Sequence, residues 1–121
     1  MAGGPLDGNA LVLAAAKASV SGERLPDLAD QAQGLLGPRL PEYGRRYECA
    51  HEDESQAVFF VDAGHWADLG EEMGLKEREW TALRRAHAEH LQRIGSNLDR
   101  RREFETALEL REAVVIGKGK D

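Results

Sequence analysis

The chain has 121 residues, 41% hydrophobic and 31% charged, with a formal net charge of −6. That length supports one hydrophobic core and a single domain, 1–121, and the balance of apolar and charged residues excludes an intrinsically disordered chain. The longest apolar run, residues 10–16, is far too short to cross a bilayer, the start MAGGPLDGN has no basic leader, and a lone cysteine, Cys49, excludes an internal disulfide. A cytoplasmic protein with no membrane partner is expected.

Residues 9–36 predict a helical hairpin. Asn9 caps a first helix running to about residue 20, with Leu11, Val12, Ala15, Ala16 and Ala18 as its small-residue face, and Ser21-Gly22 ends it. A second helix starts at Pro26, a residue suited to a first turn. Its apolar positions Leu25, Leu28, Ala29, Ala32, Leu35 and Leu36 recur at three and four, and Gly37-Pro38 stops it. Residues 46–61 predict a β-hairpin: an alternating run at 46–51, the charged turn Glu52-Asp53-Glu54-Ser55, and the β-prone run Gln56 to Val61. Two helices over 66–94 come next, the second ending at Gly95-Ser96-Asn97. Over 100–116 a last helix turns Phe104, Ala107 and Leu108 inward, and the β-branched run Ala113 to Ile116 adds a third strand to the hairpin. The fold class is α+β and helix-dominated: an N-terminal helical hairpin, a small antiparallel sheet and a helix-turn-helix.

The segment 66–85, WADLGEEMGLKEREWTALRR, meets the spacing rule for two short helices crossing at a tight turn. Leu69 fills the crook between them. Gly70 is small where the second helix passes over. Met73, Gly74 and Leu75 make the turn, and Trp80 and Leu83 pin the second helix to the core. This stretch resembles the helix-turn-helix of bacterial sigma-factor promoter-reading domains and of many small regulators. The resemblance covers about a sixth of the chain. It implies that the second helix enters the major groove of duplex DNA, early residues first. By position those residues are Lys76, Glu77, Arg78, Thr81, Arg84 and Arg85. Arg78 would address guanine, Glu77 would accept from cytosine, and Arg84 and Arg85 would sit at phosphates. Packing alone also produces Leu69, Met73, Leu75 and Leu83 at these spacings.

Charge is uneven along the chain. Residues 1–65 hold 10 acids against 5 bases, 66–102 hold 7 against 8, and 103–121 hold 5 against 3. Within 84–102, Arg84, Arg85, Arg93, Arg100, Arg101 and Arg102 face only Glu89 and Asp99. A basic patch on an acidic body is what a nucleic-acid footprint looks like, with Arg93 and Arg100 to Arg102 as backbone contacts. The same arginines equally suit a solvated linker beside acidic neighbours.

No segment supports a reaction, a cofactor or a small-molecule substrate. Gly117-Lys118-Gly119-Lys120 lacks the strand–glycine–helix setting of a phosphate loop. Cys49 and His51 form no nucleophile–base pair without a third, orienting group. His87 and His90 share a helix face and could hold zinc together with Cys49, His51 or His65. No Cys-x-x-Cys pair accompanies them, so they read as edge-of-core residues with no metal assigned. The expected function is therefore a non-enzymatic DNA-binding regulator, the alternative being a protein-interaction or homodimeric module that does not bind DNA. A homodimer is expected on its own grounds: Trp80, Leu83, His87, Leu91 and Ile94 form one stripe that a small sheet would leave uncovered.

Overall fold

Two runs of consecutive apolar residues, Ala57 to Val61 and Ala113 to Ile116, show no polar alternation, so as strands they need cover on both faces. The computed structural model describes Leu6, Val20 and residues 24–118, and in it both faces are covered. Helices α1 (Arg24–Leu36) and α2 (Leu40–Arg46) precede strands β1 (Glu48–Glu52) and β2 (Gln56–Asp62). Helices α3 (His65–Met73), α4 (Glu77–Asn97) and α5 (Arg101–Leu108) follow, and strand β3 (Arg111–Gly117) comes last. The sheet order is β1-β2-β3, antiparallel throughout, as the α+β reading requires.

The register pairs Val58 with Val115 and Phe60 with Ala113, which puts these four side chains on one face. There Phe60 meets Phe104 of α5, ring centroids 6.0 Å apart. Phe59 points the other way and packs on Tyr43 of α2 at 5.9 Å. The central strand is thus clamped between α2 and α5.

The two edges of the sheet are treated differently. β1 is short and charged and carries a bulge between Cys49 and His51, features that discourage pairing with another strand. The outer edge of β3 is closed by side chains, one from each of three helices. Trp66 Nε1 of α3 donates to the Ala113 carbonyl at 2.9 Å. His87 Nδ1 of α4 accepts from the Val115 N–H at 2.9 Å. Gln33 of α1 donates to the Val115 carbonyl at 2.7 Å and accepts from the Gly117 N–H at 2.8 Å. Residues 113, 115 and 117 alternate along the strand, so these are the groups that turn away from β2. Three polar side chains thereby do the work of a fourth strand.

Several sequence expectations need correcting. The first helix of the expected hairpin, at 9–20, falls outside the described residues except for Val20. The second begins at Arg24, two residues before Pro26; it ends at Leu36, where Gly37-Pro38 was expected to stop it, but no loop follows. Gly37–Arg39 forms a 3-10 turn and α2 follows at once, with Pro41 in its first turn, where a missing N–H costs nothing. α2 escaped the sequence reading because Tyr43 is its only buried residue, which leaves no periodicity to see. β1 starts at Glu48 rather than 46, and α5 stops at Leu108, so Arg111 opens β3.

Gly95 is no helix stop. It lies buried inside α4, and a methyl group there would sit 2.7 Å from Phe104 Cδ2. The stripe expected to need a partner is also internal. Leu83, His87 and Leu91 are fully buried within one chain, and α1 and β3 pack against the helix that carries them.

Candidate functional site

The joint between α3 and α4 has the geometry that its spacing implies. Gly74 adopts φ +71°, the left-handed region that favours glycine. The Leu75 N–H donates to the Gly70 carbonyl at 2.8 Å and the Gly74 N–H to the Glu71 carbonyl at 3.1 Å, the paired bonds of a Schellman motif. Trp80 then lies across Gly70, where an added methyl would come within 2.7 Å of Trp80 Cβ. That atom cannot rotate away, so only glycine permits this crossing.

With the crossing fixed, the burial along α4 shows which face is outward. Ala82, Leu83, Ala86, His87, His90, Leu91 and Gly95 are buried. At about 100° per residue, Arg78, Thr81 and Arg85 share the opposite side. Arg78 and Arg85 are exposed, Thr81 is half-buried, and the two arginines form no ion pair among the described residues. Lys76 is exposed at the head of the helix, its backbone N–H bonded to Glu79 Oε1 at 3.0 Å. Arg84 is turned toward the body of the protein, its guanidinium 5.6 Å from the Trp80 ring centroid and 3.9 Å from Glu112 Oε2.

The arginines expected at the DNA backbone do not form one patch. Arg93 is exposed on α4 two turns beyond Arg85. Arg100 makes two bonds to Glu103, at 3.0 and 2.7 Å, and covers the Phe104 ring at 4.6 Å. Arg101 bonds Glu105 and the Ser96 hydroxyl, each at 3.0 Å. Of that trio only Arg102, also exposed, has no ion pair among the described residues.

Carboxylates occupy the heads of both motif helices. The Gly64 and Trp66 N–H groups donate to the two oxygens of Glu112, at 3.0 and 2.9 Å, so β3 caps α3. Glu77 and Glu79 lie in the first turn of α4. Glu79 stays ionised below the usual carboxylate range, chiefly because it accepts the Lys76 N–H. Neither helix head is therefore open to a phosphate. On this scaffold, binding energy for DNA has to come from side chains.

Beside Arg84 and Arg85 lies a 350 Å³ cleft, also lined by Ala63, Ala88, Leu108 and the turn from Glu109 to Glu112. Leu110 in that turn is 81% exposed. The sequence reading missed this feature. Its one signal was that Leu110 fits neither the helical set Phe104, Ala107, Leu108 nor the strand run that starts at Ala113.

The histidines serve structure. His87 is fully buried against Trp66, ring centroids 4.5 Å apart, and burial pulls its pKa down to about 3. Its Nδ1 accepts the Val115 N–H, so Nε2 carries the proton and is closed to a metal; Nε2 itself has no hydrogen-bond partner. His90 Nε2 pairs with Gln56 Oε1 at 2.7 Å, and His65 Nε2 with the Tyr43 hydroxyl at 2.6 Å. Burial raises the Cys49 thiol above its ordinary value, the wrong direction for a nucleophile. Among the described residues, no three His, Cys, Asp or Glu side chains gather as a metal site, and none of the helices is long and apolar enough to cross a membrane.

The chain belongs to the family described as Domain of unknown function (DUF8048), whose model matches residues 4–118. Comparison with curated proteins and with solved structures gives no match.

Proposed function

We propose that this protein is a non-enzymatic DNA-binding regulator that presents α4 to the major groove. The observation that supports the reading is the outward stripe Arg78, Thr81 and Arg85, carried on a helix whose crossing angle is locked at Gly70, Gly74 and Trp80. Arg78 and Arg85 reach base edges and Lys76 sits at a phosphate beside them, whereas Arg84 is turned toward Trp80 and Glu112. Arg100 and Arg101 are not among the backbone contacts, because Glu103 and Glu105 already hold their guanidinium groups.

This reading predicts a shallow salt dependence. Each neutralised phosphate contributes about 0.9 to the slope of log affinity against log salt, so the single contact at Lys76 gives roughly 1. The test is fluorescence anisotropy with a random-sequence duplex at low salt, then across a salt series. The Arg78→Ala/Arg85→Ala variant should weaken binding at least about tenfold, which corresponds to ~1.4 kcal/mol. Absence of binding at the lowest salt would leave the protein-interaction module as the reading of this fold.

A further inference from the structure

The turn between α5 and β3 joins three properties. Leu110 is 81% exposed there. It borders a cleft whose walls include the small side chains Ala63 and Ala88. Arg85 and Glu109 also line that cleft, and neither forms an ion pair among the described residues. A single exposed leucine is ordinary. A leucine beside a concave, small-residue surface, flanked by one free charge of each sign, is a self-complementary patch.

We infer that this patch pairs with a second copy of the chain about a two-fold axis. Leu110 of each copy enters the cleft of the other, and Arg85 of each meets the partner's Glu109. Two-fold pairing demands that residue i touch j while j touches i, and an apolar projection, a matching recess and opposite free charges on one surface satisfy that demand. Other occupants fit less well. An acidic peptide would confront Glu109 and Glu112, and a basic one would confront Arg84, Arg85 and Arg111. The contact rests on one leucine and one charge pair from each copy, well short of the roughly 20–30 residues a side of a stable interface, so the association is weak. It does not involve the α4 stripe that the sequence nominated, which is internal; it does use Arg85, which the proposed DNA face also uses, so pairing and DNA binding compete for that side chain.

Sedimentation equilibrium over about 10 to 500 µM, the range in which so small an interface associates, tests the pairing. The mass should rise above 13.3 kDa toward twice that value. Leu110→Asp alters an exposed turn, so it keeps the fold and should weaken association at least about tenfold. Arg85→Glu and Glu109→Arg should each abolish self-association, while an equimolar mixture of these two variants should associate with each other. A merely sticky leucine would not produce that charge-swap rescue. Each copy carries −6, so screening of that repulsion should let association persist at high salt, whereas phosphate contacts weaken there. A constant 13.3 kDa for the native chain, self-association undiminished by Leu110→Asp, or failure of the mixed variants to associate would each overturn the inference.

Discussion

The joints at the two ends of α4 are built on one plan. At the first, Gly70 accepts the Leu75 N–H, Gly74 sits in the left-handed region, and Trp80 packs on Gly70. At the second, Gly95 accepts the Arg100 N–H at 2.7 Å, Asp99 sits at φ +59°, and Phe104 packs on Gly95. In each, the residue four after the glycine turns left-handed, the next N–H reaches back to the glycine carbonyl, and an aromatic ring from the following helix covers the glycine. They differ in what they expose. The first leads into a helix whose outward Arg78 and Arg85 form no ion pair among the described residues, whereas at the second Arg100 and Arg101 are tied to Glu103 and Glu105. Equal backbone geometry therefore does not leave equal side chains unpaired.

The largest expected effect comes from filling the two glycines. Gly70→Ala meets the immobile root of Trp80 and should cost about 3 kcal/mol, the upper end of the overpacking range. Gly95→Ala meets the Phe104 ring edge, which can tilt, although Arg101 Cα at 3.2 Å limits the relief; it should cost roughly 1–2 kcal/mol. Urea melts would show the order in their midpoints, with unchanged slopes. An equal loss at both sites would mean that helix movement, not the packed side chain, sets the cost.

Next in size is the difference in binding. Replacing Arg78 and Arg85 by alanine should weaken DNA affinity by ~1–3 kcal/mol for each arginine that reads a base edge. Arg100→Ala/Arg101→Ala should change it less than about twofold, since paired surface charges contribute little. Anisotropy on both variants decides whether only the first joint serves the proposed interface.

Acid tests whether the two joints loosen together. His87 lies on α4 between them, with its pKa lowered from 6.5 to about 3 by burial. The unfolded chain binds the proton first, so this contribution to stability is complete above pH 6.5 and is lost as pH falls from 6.5 toward 3. The slope is at most about 1.4 kcal/mol per pH unit. His65, also lowered by burial, adds in the same direction. Chemical denaturation at pH 7, 6 and 5 measures the slope above the main carboxylate range. A flat profile would refute the neutral, buried state of His87.

The smallest effect is a reciprocal swap at the left-handed positions. Asp99→Gly should stabilise by ~0.5–1 kcal/mol and Gly74→Asp should cost about the same, because a side chain strains this backbone region. Thermal melts of the two variants and their combination would show near-cancellation if the two turns are equivalent.

These joints also show why the sequence was readable at one place and not another. The first carries glycine at its left-handed position and was recognised by its spacing. The second carries Asp99 there, so Gly95 passed for a helix breaker and the crossing with α5 went unseen. Of the candidate interface, Arg78, Thr81 and Arg85 were among the positions that the resemblance nominated, but so was Arg84, which the structure turns toward Trp80 and Glu112. The pairing of Arg100 with Glu103 was local and could have been seen at i, i+3. The carboxylate of Glu112 on the head of α3 could not, since 46 residues separate it from Trp66.

By itself, the sequence determined the α+β class, the β-hairpin with its added third strand and the two helices joined at Gly74, because hydrophobic period and turn chemistry act over neighbouring residues. Only the tertiary structure decided how the outer edge of β3 is closed. Gln33, Trp66 and His87 come from three helices to bond backbone groups of one strand, and a polar side chain does not record in its local sequence which distant N–H or carbonyl it will satisfy. The same long-range packing buried the α4 stripe and left Leu110 in the open.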